Sequence, residues 1–267
     1  MNTHVTPSQV ETYQRDGFLY LGPLLSPQEL SELRTAVAQC VAELGQRKVA
    51  GPEAKEMTEG DTYYDRVFLQ RVNLWKINKT VRRIFLDPAL GEMLCKLAGI
   101  DGIRVWHDQT LQKQPWANPT AWHLDCPYWS FHSRKAISIW VALDDVTLQN
   151  GCLYYLPGSH KIVDYKNVDI GPEMAGLFKV YPKLANLKAV PVEMKAGEAA
   201  VHNGLTAHAA GPNMTPYWRR AMTCAYMPDG ACFNGIQNIL SDKQVSRLEV
   251  GDPLNDEEQN PLVWPVR

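Results

Sequence analysis

The sequence predicts a mainly β protein, a barrel or double-sheet jelly roll with helices ahead of it. Three observations carry this expectation. Clear helical periodicity is confined to about the first hundred positions. From Ile103 onward, short β-rich runs follow one another, separated by turn residues. In one of them, Ile137-Ser138-Ile139-Trp140-Val141-Ala142-Leu143, alternation puts Ile137, Ile139, Val141 and Leu143 on one face.

The elements follow in chain order. Thr6-Pro7-Ser8 caps a helix over Gln9–Arg15 that stops at Gly17. Phe18–Leu21 reads as a short strand. Ser26-Pro27-Gln28-Glu29 starts a second helix, with Pro27 at the first helical position. Leu30, Leu33, Val37, Cys40 and Val41 recur at helical spacing and carry it to about Leu44. Gly45 to Tyr63 is polar and without period, which fits either a mobile lid or a plain exposed connection. A third helix is expected from about Lys79 to Ala98, broken near Asp87-Pro88. Strands follow at Ile103–Leu111, Ala136–Leu143, Cys152–Leu156, Ala199–His202 and Arg219–Met227. Turn signals stand between them at Gln149-Asn150-Gly151, Pro157-Gly158-Ser159, Asn203-Gly204 and Gly211-Pro212-Asn213. The helices are expected to pack on one sheet. No composition break divides the chain, so 1–267 reads as one domain. Its parts are a helical portion of about 1–100, a β core of about 101–230 and a C-terminal extension of about 231–267.

Composition excludes several classes. The chain has 267 residues, 45% of them hydrophobic, and a formal net charge of −2 without any block of like charges. Neither a nucleic-acid surface nor an anionic membrane partner is indicated. No secretory signal and no spanning run of about 18 apolar residues is present, so the cytoplasm is the expected compartment. The six cysteines form no C-x-x-C pair and read as reduced thiols.

The chemistry concentrates in four residues. His123 and Asp125, in Trp122-His123-Leu124-Asp125, would face the same way if this segment is a strand. Alone, H-x-D fits a surface histidine beside a solvated carboxylate equally well. His208, 85 positions later, is read as ending a second apolar strand. Two histidines and one carboxylate on a β scaffold fit the facial triad of non-haem Fe(II) oxygenases, which leaves metal positions open. Arg219 lies eleven residues beyond His208, and a hairpin is expected to return it beside the histidine strand. Its planar guanidinium suits a terminal carboxylate. Its neighbour Arg220 reads as a surface residue on the opposite face. Tyr128, Trp129 and Phe131 either line a pocket or belong to the core.

The run from about Arg71 to Met227 resembles the phytanoyl-CoA dioxygenase family of Fe(II)/2-oxoglutarate oxygenases. The resemblance is carried by His123 and Asp125, by Asn150-Gly151-Cys152-Leu153 leading to Leu156-Pro157-Gly158-Ser159-His160, by His202, by His208 with Gly211-Pro212-Asn213, and by Arg219. It implies a double-stranded β-helix (jelly roll) with N-terminal α-helices packed on one sheet, and a dioxygenase acting on a small-molecule substrate with dioxygen. It implies Fe(II) held by His123, Asp125 and His208, and 2-oxoglutarate whose distal carboxylate is held by Arg219. Trp140 matches a tryptophan lining the co-substrate site, Gln109 a contact to the same molecule four residues before Lys113, and Arg71 a basic residue near the site. Ala210 departs from members with a serine there, so one hydrogen bond to the oxo acid is either missing or supplied by another group. Asp125 favours oxygenation over halogenation, because the related halogenases carry Ala or Gly at that place. His202 and His160 are expected to pack or to support the ligands. The rival readings are a non-catalytic jelly roll and a cupin-like metal protein that needs no 2-oxo acid.

Overall fold

The computed structural model describes residues 1–51, 58–60, 63–166, 168 and 170–266. Helix α1 (Pro7–Asp16) leads through Gly17 into strand β1 (Phe18–Pro23), and α2 (Pro27–Leu44) follows. Both helices open with a capping box, at Thr6 and Gln9 and at Ser26 and Glu29. Strand β2 (Leu69–Val72) precedes α3 (Lys79–Phe85) and α4 (Pro88–Ala98). The helix expected from Lys79 to Ala98 is broken at Asp87-Pro88 as anticipated, with Asp87 capping the second part through Ala89 N. Then come β3 (Ile103–Lys113), β4 (Thr120–His123), β5 (Ile137–Ala142), β6 (Leu153–Tyr155), β7 (Val190–Val192), β8 (Glu198–Asn203), β9 (His208–Ala210), β10 (Arg219–Pro228) and β11 (Leu262–Trp264).

The strands form two antiparallel sheets. The larger runs β1-β8-β5-β10-β3, with β2 and β11 sharing the far edge of β3; the smaller runs β4-β9-β6-β7. This is the jelly roll expected. One detail differs. The turn after His208 does not make a hairpin with β9, because β10 pairs with β3 and β5 in the other sheet. The chain crosses between sheets there, so Arg219 faces the histidines across the roll and not along a ladder.

Alternation in the large sheet sorts its two faces. Ile137, Ile139, Val141, Val201, Met222 and Cys224 face outward and pack under Leu33, Val37, Ile84 and Leu94 of the helices. Those helices seal one sheet, as expected. The inward residues line up in cross-strand rows: His107–Ala225–Ser138–His202, then Gln109–Thr223–Trp140–Ala200, then Leu111–Ala221–Ala142. Small residues at Ala225, Thr223, Ala221 and Ala200 leave space between the sheets. The C-terminal segment closes one end, where Phe233, Leu240 and Leu254 pack with Trp106 and Phe131. No helix among the described residues is long and apolar enough to cross a membrane.

Of the Gly45–Tyr63 segment, residues 52–57 and 61–62 lie outside the described residues, and so does the idea of a lid there. Its described part is tied down. Val49 bridges to Val72, and Lys48 pairs with Asp65 at 2.6 Å.

Candidate metal centre and its cavity

His123 and His208 lie directly opposite one another in the β4–β9 ladder. Directly opposed residues share a face, which brings two histidines far apart in sequence to a ring separation of 4.1 Å. Asp125 is not on the strand as expected. β4 ends at His123, and Asp125 takes a helical conformation (φ −81°, ψ −50°) ahead of a short 3-10 turn led by Pro127. The turn is held by Gly204, whose carbonyl accepts from the backbone N–H of Asp125 and of Cys126. From there Asp125 Oδ1 lies 3.6 Å from His123 Nε2 and 3.7 Å from His208 Nε2. The three donor atoms fall within 4.8 Å of one another.

Hydrogen bonds settle which nitrogen each histidine presents. His123 Nδ1 is 2.8 Å from the Ala121 carbonyl, and His208 Nδ1 is 3.0 Å from that of Thr206. A carbonyl only accepts, so each Nδ1 carries the proton and each Nε2 lone pair points into the site. Burial pushes both imidazoles down and keeps them neutral. Burial alone would push the Asp125 carboxyl up. At the low pH where that group would titrate the histidines are charged, and the field of His208, a hydrogen bond from His202 and the field of His123 outweigh burial and hold the carboxyl well below the usual carboxylate range.

These residues open into a cavity of about 390 Å³. Arg219, Trp140, Gln109 and Thr223 line it together with the three candidate ligands. Arg219 is 2% exposed, and its Nε and Nη1 have no partner. Its guanidinium lies over the Trp140 ring at 5.2 Å. Burial draws its pKa down to about 10. Opposite it in the β3–β10 ladder stands Lys113, also fully buried. Its Nζ donates to the carbonyls of Val67 and Asn118. Gly151 (φ +97°) makes room for the lysine stem, since a Cβ there would meet Lys113 Cδ at 2.7 Å and Gly211 O at 2.8 Å.

Arg71 corrects an expectation. Gln70 and Val72 of β2 line the cavity, so alternation turns Arg71 away from it. Its guanidinium donates to the carbonyls of Gln70 and Gly45 and pairs with Glu59 at 3.1 Å. Gln70 Nε2 instead donates to Gln109 Oε1 at 2.5 Å. Tyr128 and Trp129 line the cavity, while Phe131 belongs to the core. Arg220 faces the other way and holds Asp144 through two hydrogen bonds. His160 packs beneath Gly17, away from the cavity.

Other lining residues escaped the sequence reading. His107 lies two positions before Gln109 on the same face of β3, and its Nδ1 is buried without a partner. Period-two alternation from Gln109 would have found it. Thr120 stands opposite Ala210 in the β4–β9 ladder, and its side chain lines the cavity.

The model of the family described as phytanoyl-CoA dioxygenase (PhyH) matches residues 13–221. Dioxygenase lolE1 of Epichloe uncinata is 27% identical over 255 residues, covering 93% of this chain and 91% of that protein. Among solved structures, the non-haem α-ketoglutarate-dependent carbocyclase SnoK from nogalamycin biosynthesis aligns with a TM-score of 0.77. It is 25% identical, over 97% of this chain and 96% of that one. The epimerase SnoN, solved with Fe3+, α-ketoglutarate and nogalamycin RO, also aligns at 0.77, with 26% identity over 96% and 97% of the two chains.

Proposed function

The chain belongs to the phytanoyl-CoA dioxygenase family, and from that premise we propose that it uses Fe(II) and 2-oxoglutarate to oxidise a C–H bond of a small-molecule metabolite or natural product, hydroxylation being the basic outcome. The observation that carries this reading is the sharing of one cavity. A two-histidine, one-carboxylate donor set and a buried arginine with two unpartnered nitrogens line the same space.

The residues fit both groups. Two neutral imidazole nitrogens and a carboxylate oxygen on one side suit Fe(II) with positions left open. An unpartnered buried guanidinium costs free energy that a carboxylate recovers through a bidentate contact. Iron with 2-oxoglutarate supplies dioxygen activation, coupled to decarboxylation of the oxo acid to succinate.

The protein's own part is positional. His123, Asp125 and His208 hold the metal, and Arg219 holds the distal carboxylate of the oxo acid. Trp140 packs against the guanidinium and limits its swing. Gln109, tethered by Gln70, presents its amide to the same molecule. Thr120 offers the hydroxyl that Ala210 lacks. Substrate occupies the rest of the cavity, against Tyr128, Trp129 and His107, where apolar walls exclude water.

The test is oxygen consumption over a panel of natural products with Fe(II) and 2-oxoglutarate present, followed by mass analysis of the consumed compound. The reading expects a compound that stimulates consumption and gains one oxygen atom. Oxygen consumption that needs no 2-oxoglutarate would contradict it.

A further inference from the structure

Asp125 has two carboxylate oxygens, and the cavity needs only one. Oδ1 faces the two histidine Nε2 atoms. Oδ2 faces away from them. It lies 3.1 Å from His202 Nε2 and 3.4 Å from Ser138 Oγ. A carboxylate only accepts, so His202 Nε2 carries the proton and donates. His202 Nδ1 is then an acceptor, and it lies 3.1 Å from the Tyr155 hydroxyl. A phenol hydroxyl carries its proton at neutral pH, so it donates to that nitrogen. The chain of donors runs one way, from Tyr155 through His202 to Asp125.

The donors are firmly placed. His202 is 3% exposed in β8, between Ser138 of β5 and Phe18 of β1. Tyr155 is fully buried and stacks on Phe18 at 4.5 Å and 13°. Asp125 sits on a turn beyond the end of β4, outside the ladder, so the orientation of its carboxylate depends on these side-chain contacts.

We propose that Tyr155 and His202 form a positioning pair that keeps Asp125 a one-oxygen ligand by holding its Oδ2 out of the metal's reach. Released, Oδ2 can swing in and chelate. It would then take a coordination position that the oxo acid needs, since 2-oxoglutarate binds through two atoms. The inference rests on the assignment of the triad made above. It separates two affinities: the pair matters little for holding the metal and much for leaving room beside it.

The experiment uses the full chain, freed of metal and kept anaerobic, with Co(II) as the probe. Co(II) binding is followed by its visible absorption, and 2-oxoglutarate is then titrated into the loaded protein. In His202→Leu, Co(II) affinity should stay within about threefold of wild type, while 2-oxoglutarate affinity falls by about tenfold or more. His202→Gln, which keeps an N–H to donate, should recover most of the loss. Tyr155→Phe should show a smaller loss in the same direction. Unchanged 2-oxoglutarate affinity in His202→Leu overturns the proposal, and so does a parallel fall of metal and oxo-acid affinity in both His202 variants. If Co(II) binds wild type and His208→Ala alike, the triad assignment itself fails and the proposal goes with it.

Discussion

Replacing Arg219 by Ala tests the co-substrate site most sharply. Its guanidinium is buried, and two of its nitrogens are unpartnered. Burial lowers its pKa from 12.5 to about 10. At about 1.4 kcal/mol for each unit, the enclosed charge is disfavoured by about 3 kcal/mol, which a carboxylate partner can recover. Truncating one member of a buried charge pair costs about 2–5 kcal/mol, in line with that figure. At about 1.4 kcal/mol per tenfold, 2-oxoglutarate binding should weaken by roughly a hundredfold, and by no less than about thirtyfold. Arg219→Lys should fall between, because an ammonium keeps the charge and loses the planar fork. Arg220→Ala is the control, since Arg220 turns to Asp144 on the other face. The assay is the 2-oxoglutarate dependence of succinate formation for the three variants. A normal dependence in Arg219→Ala, or the loss appearing in Arg220→Ala, would refute the reasoning.

Two further outcomes concern stability. Burial, with the field of Arg219, lowers Lys113 from 10.5 to about 6. Its depressed pKa makes the unfolded chain bind more protons between those values, so the protein without ligands should gain stability as pH rises from about 6. Lys113→Met should raise the melting temperature, most at pH 6 and less towards pH 9; a Met variant less stable than wild type by the same amount at every pH would contradict this. Asp108 accepts from the backbone N–H groups of Leu74 and Trp75, each at 2.7 Å. Asp108→Ala leaves both buried donors unsatisfied and should cost about 2 kcal/mol or more, read from the urea midpoint.

Much of the site was legible because its chemistry is scarce. Among 267 residues there are seven histidines, and those at 123 and 208 stand in contexts that differ from the rest. Trp140 was named from the resemblance, and the alternation of β5 agrees with it, since Ile137, Ile139 and Val141 occupy the other face. Parity explains the error at Arg71. β2 has four residues and no clean alternation, and a shift of one position exchanges inside for outside. Gln70 faces the cavity in its place. The turn that carries Asp125 was hidden because its anchor, the Gly204 carbonyl, is remote in sequence. The link from Tyr155 through His202 to Asp125 joins three separate segments, and no local pattern announces it. The crossing from β9 to β10 was misread for a similar reason. A short turn looks like a hairpin until the partners of both strands are known.

The central claim is that His123, Asp125 and His208 hold the iron at which 2-oxoglutarate is consumed. It is tested most directly by measuring succinate made from 2-oxoglutarate under air, by wild type and by His208→Ala, with and without added Fe(II). The account predicts succinate from wild type only when Fe(II) is present, and none above background from His208→Ala even though that variant remains folded. Succinate formed equally by both proteins, or by wild type stripped of metal, would contradict it.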